Sequence, residues 1–246
     1  EEASRKLRSP MLSFSNTDMA FKDNLLVAGS YHGFNIYELQ DDGIPNLITS
    51  VVCPGGQGDV SVVGNILIMS VEETRGRVDC GLDGVGPDAS PERFRGIRIF
   101  DISNIKKPKQ VGAVQTCRGS HTHSVVAGPT ADNKIIVYNS GTGRVREEDE
   151  LDGCIGNIAG DTRTAYFSID VIEIPINDPA SSRIVSSPRV FADNDKGIIA
   201  GLWRGGDHGD GTQDTRPTNQ CHDITVFPSA GIAAGAGGGG NNTYSG

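Results

Sequence analysis

The chain has 246 residues, 36% of them hydrophobic, with 33 glycines, 12 prolines and a formal net charge of −9. The negative charge argues against nucleic acid and anionic lipid as partners, and no apolar run approaches the roughly 20 residues of a membrane-spanning helix. Many glycines and prolines without helical periodicity are typical of short β-strands joined by turns.

The chain opens on a charged arm, residues 1–14, for which no regular structure is predicted. A set of four short strands follows in residues 15–53. Apolar or alternating runs separated by tight turns predict these strands at 18–21, 25–28, 34–39 and 46–52.

The same order of strands recurs further along the chain. The second and third copies occupy residues 54–117 and 118–191, and a fourth, incomplete copy occupies 221–236 before a glycine-rich end at 237–246. Three long polar insertions interrupt the repeats. They span residues 71–95, 139–164 and 192–220.

One four-stranded sheet cannot bury both of its faces, so the copies must stack against each other. Four-stranded antiparallel sheets arranged around an axis are the blades of a β-propeller, and about three and a half blades are present. A β-sandwich is the alternative, which the regular repeat disfavours. Closed propellers have about four to eight blades, so we expect either a fragment or a ring completed by another chain.

The segment GIRIFDISNIKKPKQVGAV, residues 96–114, resembles the LVIVD-repeat family. CPGGQGDVSV (53–62), CRGSHTHSVV (117–126) and CHDITVFPSAGIAAGA (221–236) are similar to one bacterial branch of it. The resemblance implies a bacterial β-propeller that is exported or attached to the cell surface.

Five cysteines are present, and two of them, Cys80 and Cys154, lie in polar insertions where buried free thiols are not expected. Disulfides in an oxidising compartment are predicted, against the alternative of five free thiols in the cytosol. Cys53 and Cys117 occupy matching positions in neighbouring copies, so they pair either with each other or with insertion cysteines. Cys221 is also expected in a disulfide. A start at Glu rather than Met indicates a processed, extracytoplasmic protein: secreted, periplasmic or on the cell surface.

Residues that open the first strand of each blade should converge near the propeller axis. The candidates for a metal site there are Asp18, Asp59, His121, His123, His222 and Asp223. Imidazole and carboxylate together suit Zn, Cu, Fe or Mn ions, and carboxylates alone suit Ca. His-x-His on a strand places both rings on one face. The alternative is that these side chains bond neighbouring blades and hold the ring together.

The leading functional hypothesis is an exported binding or structural scaffold. Its insertions would contact protein partners or other copies of the chain within a larger assembly. The alternative is a metal-dependent, oxidoreductase-like enzyme that uses the His/Asp cluster at the mouth of the channel. No phosphate-binding glycine loop, nucleophile elbow or zinc-helix motif is present.

Overall fold

The computed structural model describes residues 15–156, 163–190, 192–193, 195–196, 198–199 and 218–239. The predicted arm, residues 200–217 of the third insertion and residues 240–246 lie outside the described residues. In these described ranges the helices are two three-residue 3₁₀ turns, Pro179–Ser181 and Pro228–Ala230. Within the described ranges, no helix is long and apolar enough to cross a membrane.

Twelve strands form three antiparallel sheets in which the strands follow chain order. The first sheet contains β1 (Asn16–Lys22), β2 (Leu25–Ser30), β3 (Gly33–Leu39) and β4 (Pro45–Val52). The second contains β5 (Val60–Val63), β6 (Ile66–Val71), β7 (Gly96–Asp101) and β8 (Lys109–Gln115). The third contains β9 (Thr122–Ala127), β10 (Lys134–Ser140), β11 (Asp170–Pro175) and β12 (Arg183–Ser186).

Two hairpins complete the described chain. They are β13 (Ala192–Asp193) with β14 (Ile198–Ile199), and β15 (Thr218–Phe227) with β16 (Ile232–Gly239). The second hairpin lies against β9 of the third sheet, as the first half of a fourth blade. It is longer than expected, because Gly237, Gly238 and Gly239 of the glycine-rich end continue the pairing.

The predicted fold class is confirmed: the protein is all-β, with four-stranded antiparallel blades of the propeller type, and the described sheets do not close into a ring. The middle sheet excludes a sandwich, because both of its faces are buried. Leu67 and Met69 of β6 pack towards the first sheet, whereas Ile66 and Ile68 pack towards the third. Alternating side chains on a strand point to opposite faces, so an uninterrupted apolar run suits a doubly covered sheet.

The start of one strand in the third blade was predicted wrongly. The apolar, alternating run YFSIDVIEI at 166–174 predicts the third strand of that blade from Tyr166, but β11 begins at Asp170. Phe167 has a φ of 50° and is 3% exposed. A left-handed residue cannot continue a strand, and the apolar run from Tyr166 therefore includes a buried loop residue before the strand.

Strand direction determines which parts of the blades meet. Because the strands alternate up and down, the junctions between blades and the connections between second and third strands lie at one end of the sheets. We call this the junction end. The junctions 53–59 and 116–121 and the two insertions that follow β6 and β10 all belong to it. The turns between third and fourth strands lie at the other end.

Candidate functional site

Two of the predicted carboxylates connect one blade to the next. Asp18 Oδ2 accepts a hydrogen bond from the backbone N–H of Val60, at 2.9 Å. Asp59 Oδ2 accepts one from the backbone N–H of His123, at 2.8 Å. Burial raises the pKa of Asp18. Burial also acts to raise the pKa of Asp59, but the neighbouring His123 outweighs it and the pKa of Asp59 is lowered. Both contacts fit the ring-holding role that was the alternative to a metal site.

His123 is enclosed at the junction between the second and third blades, beside Asp59. Its Nδ1 lies 3.0 Å from Asp59 Oδ2 and 2.8 Å from Ser70 Oγ, which in turn lies 2.6 Å from Ser120 Oγ. The His123 side chain is fully buried. Its Nε2 has no hydrogen-bond partner among the described residues. His123 therefore belongs to the contact between the second and third blades.

His121 lies in a different contact from His123. Its Nδ1 is 2.8 Å from Glu72 Oε2, and the other oxygen of Glu72 accepts a hydrogen bond from Thr142 Oγ1. Burial acts to lower the pKa of His121, but the Glu72 carboxylate outweighs it and the pKa of His121 is raised. Burial likewise acts to raise the pKa of Glu72, and His121 reverses this, so that the pKa of Glu72 is lowered.

The expectation that both rings of His-x-His share one face assumed that both residues lie within one strand. His121 precedes β9, which begins at Thr122. The alternation of side chains along a strand therefore does not apply to it. Gly119, with a φ of 76°, allows the sharp turn just before it. The backbone N–H of His121 donates to Ser140 O, at 2.9 Å, at the end of β10.

The partner of His121 is His222, on β15. The two Nε2 atoms are 3.0 Å apart, and the ring centroids are 4.5 Å apart with an interplanar angle of 52°. Thr122 Oγ1 donates to the carbonyl of His222 at 3.1 Å, which holds β15 against β9. His222 is exposed, so this pair faces solvent on one side.

The six predicted ligands thus do not form one cluster. His121 and His222 meet, and Asp59 contacts both His123 and the Asp18 carboxyl, which also bonds the backbone of the second blade. Asp223 Oδ1 accepts from the N–H of Ile224. In the part of the chain that the structure describes, no group of three or more His, Cys, Asp or Glu side chains is arranged to hold a metal ion. Among the described residues, His121 and His222 are the side chains that could contribute to a metal site, and Glu72 orients the ring of His121.

Glu72 and Thr142 were missed by sequence reasoning. Each lies just after the second strand of its blade, β6 or β10. In an up-and-down sheet that position is at the same end as the residue that opens the first strand. The register of the repeat could therefore have identified both.

Four of the five cysteines form disulfides, Cys53–Cys80 and Cys117–Cys154. Each joins a blade junction to an insertion cysteine, which was one of the two pairings left open. Cys221 was expected in a disulfide, but in the described chain it is a free, buried thiol. Burial raises the pKa of that thiol.

The two insertions also contact each other through a buried ion-pair network. Glu150, in the second insertion, bonds Arg93 of the first insertion and lies 2.6 Å from Arg146 Nε. Arg93 Nε donates to Thr74 O at 2.7 Å. Burial lowers the pKa of Arg146 to about 10. The insertions form one connected layer at the junction end.

No protein-family model matches the chain, and no curated protein matches it. Among solved structures, a protein from Lactobacillus plantarum is 11% identical, with 90% of this chain and 64% of that chain covered and a TM-score of 0.40. The computationally designed Ika4 protein is 11% identical over 70% of this chain and 92% of its own, with a TM-score of 0.30. AztD of Citrobacter koseri is 13% identical over 91% of this chain and 74% of its own, with a TM-score of 0.25. Such TM-scores imply nothing about what this chain does.

Proposed function

We propose that this chain is part of an extracytoplasmic β-propeller of the LVIVD-repeat type that acts as a binding or structural scaffold. Its insertions would contact other proteins or other copies of the chain. The observation that carries the proposal is the connected layer of insertions at the junction end. Long insertions that serve only as linkers do not need such fastening.

Each of the two insertions is also linked covalently, by a disulfide, in addition to the ion-pair network between them. The disulfides close segments with sequence separations of 27 and 37 residues. Loop-closure entropy for segments of this size is worth about 3.5 and about 3.8 kcal/mol. A surface that is already ordered loses less conformational entropy when it binds, which favours affinity.

The same two disulfides support the location. They are compatible with an extracytoplasmic protein, because reducing cytosolic conditions keep most thiols unpaired. The repeat motif at residues 96–114 supports the LVIVD type, since β7 and β8 form the two strands that this motif predicts.

A second candidate function is a metal-dependent, oxidoreductase-like enzyme. The contact between His121 and His222 on the solvent side of the junction end favours it. Asp18, Asp59 and His123 are already used in contacts between blades. An enzyme would therefore have to work through the histidine pair and not through the wider cluster.

Site-specific photo-crosslinking tests the scaffold. A photoreactive amino acid replaces Arg144, an exposed residue of the second insertion, in the full-length protein in its own cells. The matched control replaces Asp42, an exposed residue in the turn between β3 and β4 at the opposite end. We expect a discrete adduct at 144, with another protein or a second copy, and none at 42. Equal adducts at both positions, or none at 144, would contradict the proposal.

A further inference from the structure

We propose that His121 and His222 bind one divalent transition-metal ion through their Nε2 atoms. This site is separate from the scaffold proposal, because its two ligands lie outside both insertions, at the junction before β9 and on β15. The first observation is the approach itself. Two imidazole nitrogens from residues 101 positions apart lie 3.0 Å from each other. Nitrogens at about 2.0–2.1 Å from one ion can be this close.

The relative orientation of the rings is the second observation. If the two Nε2 atoms met in a straight N–H···N hydrogen bond, the ring centres would be about 5.2 Å apart, and such bonds prefer angles above 150°. The centroids are only 4.5 Å apart. If both rings turn by the same amount, the axis from each ring centre to its Nε2 is inclined by roughly 45° to the line between the two Nε2 atoms. Such an inclination weakens a direct hydrogen bond. If both Nε2 atoms, 3.0 Å apart, bound one ion at about 2.0–2.1 Å, each ring axis would be inclined by roughly 43° to the same line.

The third observation is the carboxylate behind His121. Glu72 Oε2 lies 2.8 Å from His121 Nδ1, so Nδ1 carries the proton and Nε2 is left to bind. Metal-binding histidines commonly donate their second ring N–H to a carboxylate, which fixes the tautomer and increases the basicity of the ligand. Thr142 Oγ1 donates to the other oxygen of Glu72 and holds the carboxylate in turn.

The donor set indicates the class of ion. Imidazole nitrogens suit Cu²⁺, Ni²⁺ and Zn²⁺, whereas Ca²⁺ and Mg²⁺ prefer oxygen. Because His222 is exposed, water or a small exogenous ligand can complete the coordination. The ion would also link β15 to the junction before β9, so binding should stabilise the contact between the third sheet and the β15–β16 hairpin.

Titration of the purified, oxidised full-length protein with Cu²⁺ and with Zn²⁺ tests the site. Calorimetry should show one equivalent of ion bound, and Cu²⁺ should give an electron paramagnetic resonance spectrum with two nitrogen ligands. We expect His121→Gln and His222→Gln each to weaken binding at least tenfold. Glu72→Gln should weaken it by about 10–100-fold, the usual effect of removing a residue that orients a ligand.

His32→Gln is the matched control, since it removes one of the three histidines outside the pair and should bind like the native protein. Circular dichroism and the melting temperature without metal verify the fold of each variant. His222 is exposed, so its variant should fold even if that of His121 does not. Absence of stoichiometric binding, or equal binding by His222→Gln and His32→Gln, would overturn the proposal.

Discussion

Replacement of Glu150 by alanine tests whether the two insertions form one layer. The side chain of Glu150 is 3% exposed, and those of Arg93 and Arg146 are 7% and 1% exposed. Without the carboxylate, two buried guanidinium groups lose their shared counter-charge. Breaking a buried ion pair by removing one partner costs about 3–5 kcal/mol. We expect the free energy of global unfolding to fall by this amount. If the insertions open on their own, the free energy of that local opening should fall by this amount instead.

Guanidinium unfolding followed by circular dichroism measures the global effect, and limited proteolysis between residues 71 and 156 detects a local one. The matched control is Glu148→Ala, two residues away and exposed. Surface substitutions of this kind usually change stability by less than about 0.5 kcal/mol. If Glu150→Ala matched Glu148→Ala in both assays, the insertions would not be held by the buried network and the reasoning would fail.

Three further predictions concern the blades and the disulfides. Leu67→Ala should lower the free energy of unfolding by about 2–5 kcal/mol because Leu67 is fully buried, whereas Leu47→Ala, at a 53% exposed position, should cost much less; similar denaturation midpoints would contradict the assignment of the core. Replacing Cys117 and Cys154 by serine together should cost about 3.8 kcal/mol, measured by thermal unfolding, and a melting temperature equal to that of the native protein would count against the cross-link. Burial raises the pKa of the Asp170 carboxyl, so the contribution of Asp170 to stability should fall as pH rises from its unfolded pKa of about 3.9 through its folded pKa. The stability of Asp170→Asn relative to the native protein should therefore be higher at pH 7 than at about pH 3.5; a difference in urea midpoint between the two proteins that did not change with pH would refute this.

Much of the fold could be predicted from the sequence because its determinants are local and repeated. Short apolar runs with turn residues between them specify each strand, and the recurrence of the set specifies stacked blades. The start of β11 was missed because a buried loop residue, Phe167, has the same apolar character as a strand residue. Hydrophobicity reports burial, and it does not distinguish a loop from a strand.

The candidate site was predicted only in part because it depends on side-chain direction. The repeat register placed His121 and His222 at the same end of neighbouring sheets. It could not show that His121 lies outside β9, nor that its ring contacts Glu72 and His222. The charge run at 147–150 gave no local sign that Glu150 is buried, because its partner Arg93 is 57 residues away. Contacts of this range form only once the blades are stacked.

The claim that the insertions form a rigid binding layer rests most directly on the two disulfides. Peptide mapping under non-reducing conditions, with free thiols alkylated in the producing cells, measures them. The account predicts Cys53 linked to Cys80, Cys117 linked to Cys154, and Cys221 alkylated. Alkylation of all five cysteines in the folded protein would contradict both the covalent fastening of the insertions and the extracytoplasmic location.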